Sequence, residues 1–105
     1  MRMVGRLLLS CGMVVTVTAV TTLARADAAL TAYLAGTCST CHHPSDKSAA
    51  MPALAGRDAA DLIAALQAYR TGARQDAVMH AVATSLTDAE TADVAAHFAH
   101  QEPAQ

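Results

Sequence analysis

Two cysteines and a histidine carry the strongest chemical signal in this sequence. Cys38 and Cys41 are separated by two residues, and His42 follows at once. Thiols at this spacing can bond to the two vinyl-derived carbons on one edge of a porphyrin, and the next residue can then present its imidazole to the iron. The pattern therefore predicts one covalently bound haem c per chain, attached at Cys38 and Cys41, with His42 as an axial ligand.

Three other kinds of thiol site compete with this interpretation. A zinc site needs four ligands, and the histidines at 80, 97 and 100 bring no second pair of thiols. A thioredoxin-like dithiol is expected in a βαβ pattern, which this sequence lacks. A disulfide between Cys38 and Cys41 would close a loop too short to stabilise a fold much. A non-haem thiol or metal protein remains the alternative in this class.

The spacing leaves the second axial ligand of the iron open. Met79 follows His42 after 37 residues, far enough for the chain to pass around a porphyrin, whereas Met51 follows after only nine. A methionine on a helical apolar face is more often a core residue than a ligand. His80 adjoins Met79 and is its main rival, while His97 and His100 are further candidates.

The elements that must position these residues are predicted to be helices. Apolar residues at helical spacing and capping signals favour four segments, which are Ala28 to about Gly36, Asp58 to Gly72, Asp76 to about Thr84, and Thr87 to about His100. The last begins with the capping box Thr87-Asp88-Ala89-Glu90. No segment has the alternating pattern of a strand, so the fold class is all-α, with about four helices.

The N-terminal residues resemble an export signal. Arg2 and Arg6 precede an apolar stretch over 7–24, and Ala24-Arg25-Ala26 is a small-x-small cleavage site. We expect residues 1–26 to be a signal peptide, residues 27–105 to be one mature domain, and the protein to be periplasmic, without stable membrane insertion after cleavage. The alternative is a leader that is retained as a membrane anchor.

The expected mature domain has too little apolar side chain for an ordinary core. Of its 79 residues, 23 are alanine and only 15 carry larger apolar side chains. Domains of this size usually need a disulfide, a metal, a cofactor or a partner to be stable. A haem would supply the missing apolar core. Four cations against nine carboxylates give the domain a formal charge of −5, which argues against a nucleic acid partner.

With these motifs in order, the sequence resembles class I c-type cytochromes. It is most similar to the small bacterial branch that includes cytochrome c4-like domains and the cytochrome subunit of flavocytochrome c sulfide dehydrogenase. The likeness covers about Leu30 to Ala99. It is carried by AGTCSTCH at 35–42, MPALAG at 51–56, LIAALQAYRTGAR at 62–74, VMHAVA at 78–83 and LTDAE at 86–90.

The resemblance implies roles for four residues outside the attachment motif. Met79 stands where the family has its distal thioether ligand, and Pro52 stands where a proline carbonyl accepts a hydrogen bond from the proximal imidazole. Tyr69 and Arg74 stand near positions that line the pocket or meet the haem propionates. The sequence departs from the family in lacking an obvious glycine on the first helix for a close crossing with the last, although Ala29 and Ala32 are small enough.

If protein ligands occupy both axial positions, the iron has no open site for a substrate. We therefore expect a non-enzymatic, one-electron transfer protein with redox protein partners. The resemblance fits either a free carrier or the haem subunit of a flavoprotein oxidoreductase such as sulfide dehydrogenase, whose partner would be the flavoprotein. The alternative function is a haem enzyme or gas sensor with five-coordinate iron.

Overall fold

The computed structural model describes residues 27–45 and 51–103. The chain divides into two units, Met1–Leu30 and Thr31–Gln105, and the predicted signal peptide at 1–26 lies outside the described residues. Residues 27–39 form helix α1, and three helices follow: α2 Ala59–Thr71, α3 Ala77–Ser85 and α4 Asp88–Ala99. Among the described residues there is no strand. The predicted all-α fold of four helices is confirmed.

Helix α2 begins and ends where the sequence predicts. The side chain of Asp58 accepts hydrogen bonds from the backbone N–H groups of Ala60 at 2.8 Å and Asp61 at 3.2 Å, which satisfies two of the free donors at a helix N-terminus. Gly72 ends the helix in the left-handed conformation, with φ 83°, and its N–H donates to the carbonyl of Tyr69.

Side-chain caps also fix the starts of α3 and α4. Asp76 accepts a hydrogen bond from the N–H of Met79 at 2.8 Å, so it caps α3 rather than being its first residue. The capping box of α4 is present, because Thr87 accepts from the N–H of Glu90 and Glu90 accepts from the N–H of Thr87. Helix α1 differs from the prediction, since it continues past Gly36 to residue 39.

The buried core within Thr31–Gln105 is small. Helix α2 packs against both α3 and α4. The core cluster brings together α1, α2 and α4, and it consists of Ala35, Leu62, Val94, Ala95 and Phe98. The small residue that packs from α1 is thus Ala35, which is buried, and not Ala29 or Ala32, which are exposed. Only one side chain in this cluster is aromatic, as the composition implied.

The C-terminal segment is held against the loop that precedes α2. The N–H of Gly56 donates to the carbonyl of Phe98 at 2.9 Å, and Gly56 has a φ of 75°, which glycine adopts without strain. A Cβ at this position would overlap the ring of Pro103. The close approach therefore requires glycine at 56 and ties this loop to the end of α4.

Candidate haem site

The attachment motif forms the end of α1 and the turn after it. Cys38 is in the last turn of the helix, and its carbonyl accepts hydrogen bonds from the N–H groups of Cys41 at 3.2 Å and His42 at 2.9 Å. The two residues between the cysteines bond back to the helix: the hydroxyl of Ser39 donates to the carbonyl of Ala35, and that of Thr40 to the carbonyl of Gly36. These bonds give partners to carbonyls at the helix end, and they hold the motif in one tight turn.

Both cysteines are free thiols, and they have different surroundings. Cys41 is exposed, whereas Cys38 is half-buried and packs against the core cluster. Burial raises the pKa of the Cys38 thiol, because a thiolate would be poorly solvated there. No disulfide joins Cys38 to Cys41, so both sulfurs are available for covalent bonds to a haem.

The imidazole of His42 is oriented by a backbone carbonyl. Its Nδ1 lies 2.8 Å from the carbonyl oxygen of Pro52. Because a carbonyl can only accept, Nδ1 carries the proton, and the lone pair of Nε2 is left available to a metal. A hydrogen bond of this kind fixes the ring orientation and makes the imidazole a stronger donor. The contact that the family resemblance implies between these residues is present in the structure.

Met79 and His80 occupy successive positions in the first turn of α3. The Nδ1 of His80 donates to the carbonyl of Tyr69 at 2.9 Å, so this ring is held at the end of α2. Successive helical residues point about 100° apart around the axis, so Met79 projects in a different direction from His80. The side chain of Met79 is partly buried.

Tyr69 and Arg74, the two residues expected near the pocket, contact each other. The guanidinium carbon of Arg74 lies 4.6 Å from the centroid of the Tyr69 ring, a cation–π contact. A shallow cavity of about 220 Å³ adjoins them, between α2 and α3, and it is lined by Gly72, Arg74, Gln75, Asp76, Ala77 and His80. Met79 is not among its lining residues.

His97 and His100 lie at the end of α4. The Nε2 of His97 lies 2.9 Å from the side-chain amide of Gln101, and its ring meets Phe98 edge to face. His100 is the C-cap residue of the helix. In the described part of the chain, no group of three or more His, Cys, Asp or Glu side chains is placed to hold a metal ion by itself.

The described residues fit a haem in three respects. Two thiols lie within one turn of each other, and the adjacent imidazole has an oriented ring with Nε2 free to coordinate. The core has few large side chains, and large apolar residues are exposed, among them Val78 at 66% and Met51 at 44%. A small core beside exposed apolar side chains fits a domain that is completed by a bound group.

Arg70 has a role that the sequence did not reveal. Its guanidinium donates to the carbonyls of Ala83 and Leu86, to the hydroxyl of Thr91 and to the carboxylate of Asp88. These partners lie 13 to 21 residues away on α3 and α4, and most of them are backbone groups or a hydroxyl. No charge pattern within α2 indicates such contacts.

Comparison with known proteins identifies the class. The sequence profile of the cytochrome c family matches residues 26–102, and the chain belongs to this family. It is similar to cytochrome c-554(548) of Halomonas halodenitrificans, with 37% identity over 81 residues, which cover 72% of this chain and 98% of that protein. The family implies covalently bound haem, electron transfer rather than catalysis, and redox protein partners. In the described residues, no helix combines the length and the apolar character needed to cross a bilayer.

Proposed function

We propose that this chain is an exported monohaem electron carrier, with haem c bound to Cys38 and Cys41 and with His42 and Met79 as the axial ligands. The observation that carries the proposal is the hydrogen bond from His42 Nδ1 to the carbonyl of Pro52, at 2.8 Å, directly after a pair of free thiols. It leaves His42 with one oriented donor atom for iron. An iron bound on both sides by protein exchanges electrons and binds no substrate.

The choice of Met79 over His80 rests on the placement of α3. His80 is already engaged with the carbonyl of Tyr69, whereas Met79 projects elsewhere from the same turn. Asp76 caps the N–H of Met79, so the backbone that carries this side chain is well defined. A thioether ligand opposite histidine favours the reduced state and raises the potential relative to two histidines.

Residues of the chain hold the His42 ring and the Arg74 side chain in fixed positions, so that little would move during electron transfer. The haem supplies the one-electron couple when it is bound. Pro52 holds the imidazole of His42 by a backbone atom, which no rotamer change can displace. Tyr69 and Arg74 are proposed to border the propionates, and their mutual contact at 4.6 Å would keep the Arg74 cation in place.

The proposed ligands can be tested by an optical spectrum of the ferric holoprotein. The far-red charge-transfer band of a Met-to-iron bond should be present, and Met79→Ala should abolish it. Met51→Ala is the matched control, since Met51 is the other methionine of the expected mature chain, and it should keep the band. A wild-type protein without the band would favour His80. Ready binding of carbon monoxide by the ferrous wild type would favour the five-coordinate alternative.

We further propose that the domain begins at Asp27 after removal of the leader and acts in the periplasm. We place the free carrier first, because the match to this chain takes up 98% of cytochrome c-554(548), which is named as a cytochrome in its own right. The likeness to the c4 and flavocytochrome branch keeps the subunit role as the second candidate. Copurification of a flavoprotein with the tagged native protein would favour the subunit, and a purified monomer would favour the carrier.

A further inference from the structure

Helix α3, which carries Met79, is capped only in part by its own sequence, since the hydroxyl of Ser85 donates to the carbonyl of Val82 at 2.6 Å. Its C-cap residue, Leu86, is extended, with φ −92° and ψ 138°, and its last turn contains no basic residue. The last carbonyls of a helix lack partners within the helix and must find them elsewhere. At the end of α3, the carbonyls of Ala83 and Leu86 accept from a side-chain donor on another element.

Arg70 of α2 is that donor. Its Nε donates to the carbonyl of Ala83 at 3.2 Å, and its Nη2 donates to the carbonyl of Leu86 at 3.0 Å. The same guanidinium reaches α4, with Nη2 3.2 Å from the hydroxyl of Thr91 and Nη1 2.7 Å from Asp88. A planar guanidinium can satisfy these acceptors together, because its five N–H groups have a fixed arrangement that an ammonium lacks.

The other end of α3 is attached to the neighbouring residue of α2. The carbonyl of Tyr69 accepts from Nδ1 of His80 at 2.9 Å. Two successive residues of α2, Tyr69 and Arg70, therefore hold the two ends of α3. Because α3 has only nine residues, its last turn lies about two helical turns from Met79.

We propose that Arg70 is a positioning residue for Met79, and that it acts by holding the C-terminal end of α3. The inference rests on the proposed function, in which Met79 is the distal ligand. Arg70 would then do more than join helices. Without the hydrogen bonds from Arg70 to the carbonyls of Ala83 and Leu86, the Met79 sulfur would leave the iron more readily.

The test is a titration of the ferric holoprotein with imidazole, which can bind iron only where Met79 has been displaced. Arg70→Gln removes the charge and most of the N–H donors. Arg70→Lys keeps the charge but loses the planar arrangement of donors. We expect both variants to bind imidazole about tenfold more tightly than wild type, which corresponds to ~1.4 kcal/mol, roughly the contribution of one hydrogen bond to a charged group. Asp88→Asn is the matched control. It removes only the ion pair with a side chain that is 91% exposed, so imidazole affinity should stay within about twofold of wild type.

A second readout separates local from global effects. Amide hydrogen exchange in Arg70→Lys should accelerate in α3 while α2 and α4 keep their protection. Equal imidazole affinity in Arg70→Lys and Asp88→Asn would overturn the proposal, as would an equal loss of protection in all three helices. If Arg70→Gln does not retain haem, Arg70→Lys alone decides. A wild-type protein without a Met79-dependent far-red band would instead refute the proposed ligation, and the role of Arg70 would fall with it.

Discussion

Replacement of Gly56 by alanine should destabilise the holoprotein more than the same change at any other described glycine. The φ of 75° is left-handed, which costs an L-residue ~1–2 kcal/mol. The new methyl group would also overlap the ring of Pro103, and overpacking of this kind costs about 1–3 kcal/mol more. We therefore expect Gly56→Ala to lower the free energy of unfolding by roughly 2–5 kcal/mol, a large part of the ~5–15 kcal/mol of a typical domain.

Two other glycines provide matched controls in guanidinium denaturation. Gly72 has a φ of 83°, but a methyl group there would have nothing within 4 Å, so Gly72→Ala should show only the conformational cost of ~1–2 kcal/mol. Gly36 is helical and also has open space around it, so Gly36→Ala should stabilise by about 0.5–1 kcal/mol. Pro103→Ala should rescue part of the loss in Gly56→Ala. Equal destabilisation by Gly56→Ala and Gly72→Ala would refute the contact with Pro103.

Three further results are expected. Thr87→Ala should cost ~1 kcal/mol in thermal or denaturant unfolding, because it removes one bond of the capping box, while Thr87→Ser should be nearly neutral. Phe98→Ala should cost ~3–5 kcal/mol, since Phe98 is only 3% exposed in a small core, and a value below about 1 kcal/mol would contradict its central position. The chain prepared without haem should lose most of its far-UV circular dichroism signal, because the buried residues alone are too few, and a well-folded haem-free protein would contradict this explanation of the small core.

The helix boundaries are largely predictable because local side chains determine them. Asp58, Gly72 and the Thr87–Glu90 pair act on backbone groups within a few residues. The end of α1 lies beyond the predicted stop at Gly36, because Gly36 keeps a helical conformation and does not take the left-handed one of a glycine that ends a helix. Local chemistry thus explains both the agreement and this difference.

Contacts between helices are harder to predict from the sequence than helix boundaries are. The burial of Ala35 instead of Ala29 or Ala32 depends on the rotation of α1 against α4, which similar small residues cannot specify. The bonds of Arg70 to the carbonyls of Ala83 and Leu86 carry no residue-type signal, because every residue has a carbonyl. The bond from His42 to Pro52 follows only from the family resemblance, since the two residues are ten positions apart across a loop.

The intact mass of the protein purified from the periplasm tests the central claim most directly. We expect one species, the chain from Asp27 to Gln105 plus one haem, and the haem should remain bound through acid-acetone extraction. Cys38→Ser and Cys41→Ser together should abolish the added mass. A wild-type chain with two unmodified thiols, or a haem that is lost on extraction, would contradict covalent attachment at this motif.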